Sequence, residues 1–406
     1  MKKIAYTQLK GRSFSFYSLI AILGVIILAG LGATYYMEHH GHYVTGMTNQ
    51  IVWGMPHVFA ILLILAASGV LNIASVGTVF GKSLYKPLGR LSGLMAITLL
   101  IGGLCVLVLD LGHPDRLIVA MTSYNFKSIF AWNIFLYTGF MVIVGIYLWW
   151  MMDRSMHRYY PKAGLVAFIW RLILTTGTGS IFGFLVAREA YDAAILAPLF
   201  IAMSLSLGLA FFLVILITTY HWTEKQLGNA VLFRLKNLLG VFVAVVLYFV
   251  AAYHLTNLYI TENHDVERFI LIDGGVYTLL FWLGQIALGS ILPLILLYSP
   301  AGNTRPGIMT ASLLVLLGGI AQLYVIIIGG QAYPLEIFPG MEVVSSGFFD
   351  LSLTEYHRYV PTLWEIMLGV GGIAFSLLAT IFALRVLQFL PVSLADTDID
   401  PHAKKA

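Results

Sequence analysis

The sequence predicts an all-α integral membrane protein of about ten transmembrane helices packed as helical bundles, with both termini cytoplasmic. Three observations predict it. Hydrophobic residues make up 59% of the 406 residues and charged residues only 10%, against about 25% charged in a soluble protein of this size. The apolar residues gather into runs that at ~1.5 Å rise per residue match a hydrocarbon core roughly 30 Å thick. Lysine and arginine then sort by loop: 17 fall on the side that holds both tails and five on the other (Arg116, Lys127, Arg188, Arg268 and Arg358), with Arg171 assigned to the membrane interface. Such a bias orients both termini to the cytoplasm.

Taken in order, residues 16–37 form the first span. Lys2, Lys3, Lys10 and Arg12 precede it, but it is too long for a signal peptide and has no small-residue cleavage site. The second span, 54–79, opens at His57, and the third, 91–112, closes at Asp110. Residues 130–151 and 165–187 follow, the latter holding the small polar run Thr175-Thr176-Gly177-Thr178-Gly179-Ser180 and closing at Arg188 and Glu189. Residues 198–220 make the sixth, and 236–258 the seventh, with His254 near its outer end. Residues 274–298, 308–329 and 363–390 complete the set, the last opening at Glu365. The chain is thus one polytopic membrane domain, 1–406. Its longest loop, 330–362, is non-cytoplasmic and contains Pro334, Pro339 and Pro361, which suits either an ordered docking surface or a plain ordered loop.

Composition also excludes function classes. The basic residues behind the net charge of +4 are scattered between apolar runs, so no nucleic-acid surface is expected. Cys105 is the lone cysteine, which rules out a disulfide, a c-type haem attachment and iron–sulfur ligation within the chain. Any such centre must belong to a partner. The sequence contains no phosphate-cradling glycine loop, nucleophile elbow or zinc-protease helix. His39, His40 and His42 lack a carboxylate or cysteine framework and read as a solvated loop.

Ionisable groups at membrane depth cost roughly 2.5–3.5 kcal/mol each at a helix centre. Each one needs a reason. His57, Asp110, Arg188, Glu189, His254 and Glu365 all fall at outer helix ends and so share one depth. Asp110 ends an unbroken apolar run, and a carboxylate there either pairs or holds a proton. It suits an ion pair with Arg116 or Arg188 that fixes a helix end, or a proton donor and acceptor beside a redox ligand. From His57 a polar face continues through Ser68, Asn72 and Ser75, all within about 60° at 100° per residue. That stripe suits a partial proton path or helix–helix hydrogen bonding. His57 and His254 at matching depth also allow a bis-His haem b, although His221 lies at the opposite end without a partner.

The turn Asp110-Leu111-Gly112-His113-Pro114-Asp115-Arg116 resembles the Asp-Leu-Gly-x-Pro signature of the polysulfide reductase membrane-subunit (NrfD/PsrC) family. Trp53-Gly54-Met55-Pro56-His57 resembles that family's aromatic-Gly approach to the second helix, and Pro361-Thr362-Leu363-Trp364-Glu365 its Pro-x-Trp-Glu approach to the last helix in the ten-helix branch. Among the branches the pattern is most similar to DsrP of the Dsr sulfite-reduction-associated complex. The resemblance implies a quinone/quinol-interacting subunit of a bacterial respiratory complex in the cytoplasmic (inner) membrane, acting in sulfur metabolism. It implies menaquinone or ubiquinone as bound substrate, no iron–sulfur cluster in this chain, and a periplasmic ferredoxin-like iron–sulfur subunit as partner beside other membrane and cytochrome subunits.

Carried over residue by residue, the resemblance makes Asp110 and His57 the proton partners of the quinone oxygens, with His113 and Glu365 nearby. Tyr124, Asn125 and Arg188 become candidates for hydrogen-bonding the head group. His113 stands where many relatives have arginine, which removes a fixed charge. Two other classes compete: a secondary transporter, which calls for helix breaks and ionisable groups near the bilayer midplane, and a haem-b electron carrier.

Overall fold

The computed structural model describes residues 5–223, 225–334 and 358–399. Among them, ten helices are long and apolar enough to cross a membrane. We number them α1 (Phe14–His40), α2 (Met55–Thr78), α3 (Gly89–Leu109), α4 (Ile129–Met152) and α5 (Tyr160–Gly183). The second half comprises α6 (Leu196–Trp222), α7 (Asn229–Tyr259), α8 (Val276–Tyr298), α9 (Arg305–Ala332) and α10 (Leu363–Val386). Most of the 330–362 loop lies outside the described residues.

Helix starts follow from local chemistry. Ser13 caps α1 by accepting from the Phe16 N–H, and Thr304 caps α9 by accepting from Gly307. At α10, Thr362 and Glu365 form a reciprocal capping box that bonds the first free N–H groups of the helix. Several ends differ from the sequence expectation. The fifth helix begins at Tyr160, five residues before the expected start, because Pro161 fits a first helical turn. That shift puts Arg171 in the middle of a buried helix, 2% exposed, and not in the interface where the sequence placed it. The third ends at Leu109, with Asp110 as its C-cap.

α2 and α6 form the axis of the molecule. In their central stretches 94% and 83% of residues are buried, against 17% for α1 and 22% for α8. Peripheral helices instead present rows of exposed apolar side chains, such as Val25 and Leu28 on α1 and Tyr248 and Leu255 on α7. A bilayer is the solvent that suits such a surface. The two axial helices touch backbone to backbone: a Cβ on Gly69 would lie 1.6 Å from the Ser204 carbonyl oxygen, and one on Gly208 would lie 2.2 Å from the Val70 nitrogen. Small residues permit that approach.

Both ends of the described chain meet at one end of the bundle. There β1 (Tyr6–Thr7) pairs antiparallel with β2 (Leu390–Pro391), with Tyr6 opposite Pro391. We call this the terminal end; α2 starts and α3 stops at the opposite, distal end.

Candidate functional site

At the distal end the lead-in to α2 is tied down by residues far away in sequence. The Gln331 side chain accepts from the Val52 and Trp53 N–H groups at 2.9 and 3.0 Å and donates to the Trp53 and Ile327 carbonyls at 3.0 and 2.7 Å. Arg188 donates to the carbonyls of Gln331 and Gln50, at 3.1 and 2.8 Å. The Met55 N–H donates to the Tyr359 hydroxyl at 2.7 Å, and that hydroxyl donates to Glu365 at 2.5 Å. Burial, together with the Glu365 carboxylate, holds the Tyr359 phenol above the ordinary tyrosine range, which keeps it a donor.

This clamp fixes the first turn of α2 and with it His57. Asp110, on the first residue beyond α3, brings its Oδ2 within 3.0 Å of His57 Nδ1. The Asp110 side chain is 1% exposed and that of His57 24%. The contact lies off the axis of the ring N–H, so among the described residues neither Asp110 oxygen nor His57 Nδ1 has an aligned hydrogen-bond partner. A buried carboxylate with open lone pairs is uncommon, since burial without hydrogen bonds is costly. Nε2 is the ring nitrogen left uncommitted.

His57 lines a cavity of about 410 Å³ bounded mainly by α2, α3, α4 and α5, with Ile327 of α9 at its edge. Its walls are mainly apolar, with Trp53, Leu107, Phe130 and Phe182 among them, and its polar groups are few: His57, Asn133, Tyr137 and Thr138. Trp53 stacks along the imidazole at 6.2 Å between ring centres. Asn133 is fixed by donating to the Ile129 and Gly177 carbonyls at 3.0 and 3.1 Å. Leu117 and Met121, from the short helix Leu117–Thr122, close the distal side. A largely apolar chamber with a few fixed polar groups at one end suits a flat, amphipathic ligand with an apolar body.

Of the residues singled out from sequence, the structure brings His57 and Asp110 together and puts the others elsewhere. His113 is exposed, 3.8 Å from Asp115. Tyr124 packs edge-on against Phe126 and Phe135, and Asn125 accepts from the Lys127 N–H within a turn. Arg188 belongs to the clamp. Glu365 is fully buried and receives hydrogen bonds from Gly46, Tyr359 and both the N–H and hydroxyl of Thr362. None of these five lines the cavity. Sequence reasoning missed Asn133 and Gln331. A lone amide inside the apolar run of α4 was a readable signal for the first; nothing local betrayed the second.

The polar stripe of α2 makes interhelical bonds. Ser68 and Thr175 share a hydrogen bond at 2.6 Å, and Arg171 donates to Asn72 at 3.3 Å. His254 forms a separate couple with Glu267, at 2.7 Å. It lines a different void from the one that His57 lines, so the two imidazoles do not face each other across one helix pair.

The fold and site together define a class: a polytopic helical membrane protein with a buried histidine–aspartate couple beside an apolar chamber at one membrane face. The family profile "Polysulphide reductase, NrfD" matches residues 43–334, and the chain belongs to that family. It is 27% identical to the integral membrane subunit of the Hdr-like menaquinol oxidoreductase of Archaeoglobus fulgidus, over 96% of this chain and 97% of the relative. It is 26% identical to a subunit of the selenate reductase of Mesobacillus selenatarsenatis, with 95% of each protein covered. To a component of the polysulfide reductase of Wolinella succinogenes it is 26% identical, over 70% of this chain and 96% of the relative.

Proposed function

We propose that this chain is the quinone/quinol-interacting subunit of a membrane-bound electron-transfer complex, with the His57–Asp110 couple as its proton-exchanging group. The observation that carries the reading is the buried carboxylate with open lone pairs behind an imidazole that forms part of the wall of a 410 Å³ apolar chamber. That volume lies within the roughly 300–1,000 Å³ typical of small-molecule sites. The apolar walls suit a quinone ring and the start of its tail.

Oxidation of a quinol to its quinone breaks two O–H bonds and releases two protons and two electrons. His57 takes a proton at Nε2 from the hydroxyl in hydrogen-bond reach, and Asp110 stabilises the resulting imidazolium through Nδ1. The electrons leave to an iron–sulfur partner, because a chain whose lone cysteine is Cys105 offers no thiolate set for a cluster. The imidazolium passes that proton to the distal side before Nε2 takes the second, and in reverse His57, supported by Asp110, delivers two protons in turn to a quinone. The setting we propose is the bacterial cytoplasmic membrane with the distal end facing the periplasm, as the lysine and arginine distribution favours, and a ferredoxin-like iron–sulfur subunit docked there. Menaquinol in the name of the Archaeoglobus relative supports a quinone substrate, and polysulfide in that of the Wolinella relative supports a role in sulfur metabolism.

Titration of a menaquinone or ubiquinone analogue into the wild-type protein and Asp110→Asn tests the reading. Saturable binding to the wild type, weakened in the variant, is expected. Equal, tight binding in both would make Asp110 structural. Binding to neither would favour a transporter.

A further inference from the structure

The terminal end carries a second large cavity, of about 750 Å³, to which quinone chemistry assigns no task. Four basic side chains line it: Lys86, Arg90, Arg154 and His157. Among the described residues no aspartate or glutamate does. The nearest carboxylate in sequence, Asp153, is turned into its own loop, where it accepts from the N–H and hydroxyl of Ser155, both at 2.8 Å. Arg90 is held as part of the wall, since it donates to the Gln388 and Met151 carbonyls at 3.1 and 3.3 Å and lies 3.9 Å over the Tyr6 ring. Lys86 and Arg154 are different. Both are exposed, and among the described residues neither makes a hydrogen bond or an ion pair.

Like charges gathered around one cavity repel one another, and an anion between them relieves that repulsion. The side of the cavity says which kind. Met152 lines it and is 39% exposed, and one turn deeper on α4 Trp149 is 55% exposed. This wall therefore runs into the apolar outer surface of α4, at the level where aromatic side chains mark a membrane boundary. We propose that this cavity binds the phosphodiester head group of an anionic glycerophospholipid, its acyl chains lying along α4. Two free cations, a fixed guanidinium and a histidine suit a head group with two phosphates, as in cardiolipin, better than one with a single phosphate.

Native mass spectrometry of the purified full-length protein tests this, with cardiolipin, phosphatidylglycerol and phosphatidylethanolamine added in turn. Cardiolipin adducts should persist at collision energies that strip phosphatidylethanolamine. The double variant Lys86→Ser/Arg154→Ser should weaken cardiolipin binding by at least about tenfold. Both positions are solvent-exposed and, among the described residues, unpaired, and a circular-dichroism melt within a few degrees of wild type would establish that the variant folds. Millimolar inorganic pyrophosphate should not displace the lipid. Equal retention of all three lipids, unchanged binding in a folded double variant, or displacement by pyrophosphate would each overturn the proposal, the last by reassigning the cavity to a soluble anion.

Discussion

His57–Asp110 and His254–Glu267 are the same chemical couple in two surroundings. In both, an imidazole Nδ1 lies within 3.0 Å of a carboxylate that is at most 1% exposed. The difference is what the carboxylate and the space around it have left over. Both Glu267 oxygens are partnered, one with His254 at 2.7 Å and the other accepting from Asn257 at 2.8 Å. The void beside that couple is about 20 Å³, room for a single water. Asp110 has no aligned partner among the described residues, and its histidine borders a chamber some twenty times larger. Unspent hydrogen-bonding capacity next to space is what separates a group that can exchange protons with a substrate from one that holds two segments together.

The contrast between the couples is most exposed to test at Asp110. Asp110→Asn keeps the volume and removes the charge that supports an imidazolium, so quinol-dependent turnover of the assembled complex should fall by about 10²–10⁴-fold. Glu267→Gln should leave turnover within a few-fold and lower stability instead, by about 1–3 kcal/mol, since it takes a buried acceptor from His254 and Asn257. Parallel turnover assays and denaturation of the two variants check both. Should Glu267→Gln lose as much turnover as Asp110→Asn, the division between the couples would fail.

A narrower effect is expected from Leu107→Trp, which narrows the chamber without touching the couple. The quinol KM should rise roughly tenfold, about 1.4 kcal/mol, with kcat little changed. Gln331→Leu probes the His57 side from a distance. It removes the clamp that orients the lead-in to α2, and should cost a few-fold in turnover together with about 1–3 kcal/mol of stability; an effect on stability alone would place the clamp outside the site's positioning.

How much of this was legible depends on whether the determining contact is local. The membrane class and the ten helices follow from apolar runs, which each segment carries by itself. His57 and Asp110 were legible because an ionisable group interrupting an apolar run needs a reason, and the reason is each other. The same logic nominated Glu365, but it sits in Thr362-Leu363-Trp364-Glu365, a capping box readable from its spacing, and its oxygens are taken up by that cap and by Tyr359 and Gly46. Arg188 was legible as a cation at membrane depth and not as the partner of Gln50 and Gln331. The chamber was invisible in the sequence, since its walls come from several helices whose approach is set by packing.

Photolabelling with an azido-quinone decides between the two couples, because it reports which of them lies beside the substrate. The complex would be labelled, digested and mapped by mass spectrometry. Adducts on the peptides around Trp53, Leu107 and Phe130, displaced by excess quinone, are the expected result. Adducts displaced in the same way but lying around His254 and Phe281 would contradict it.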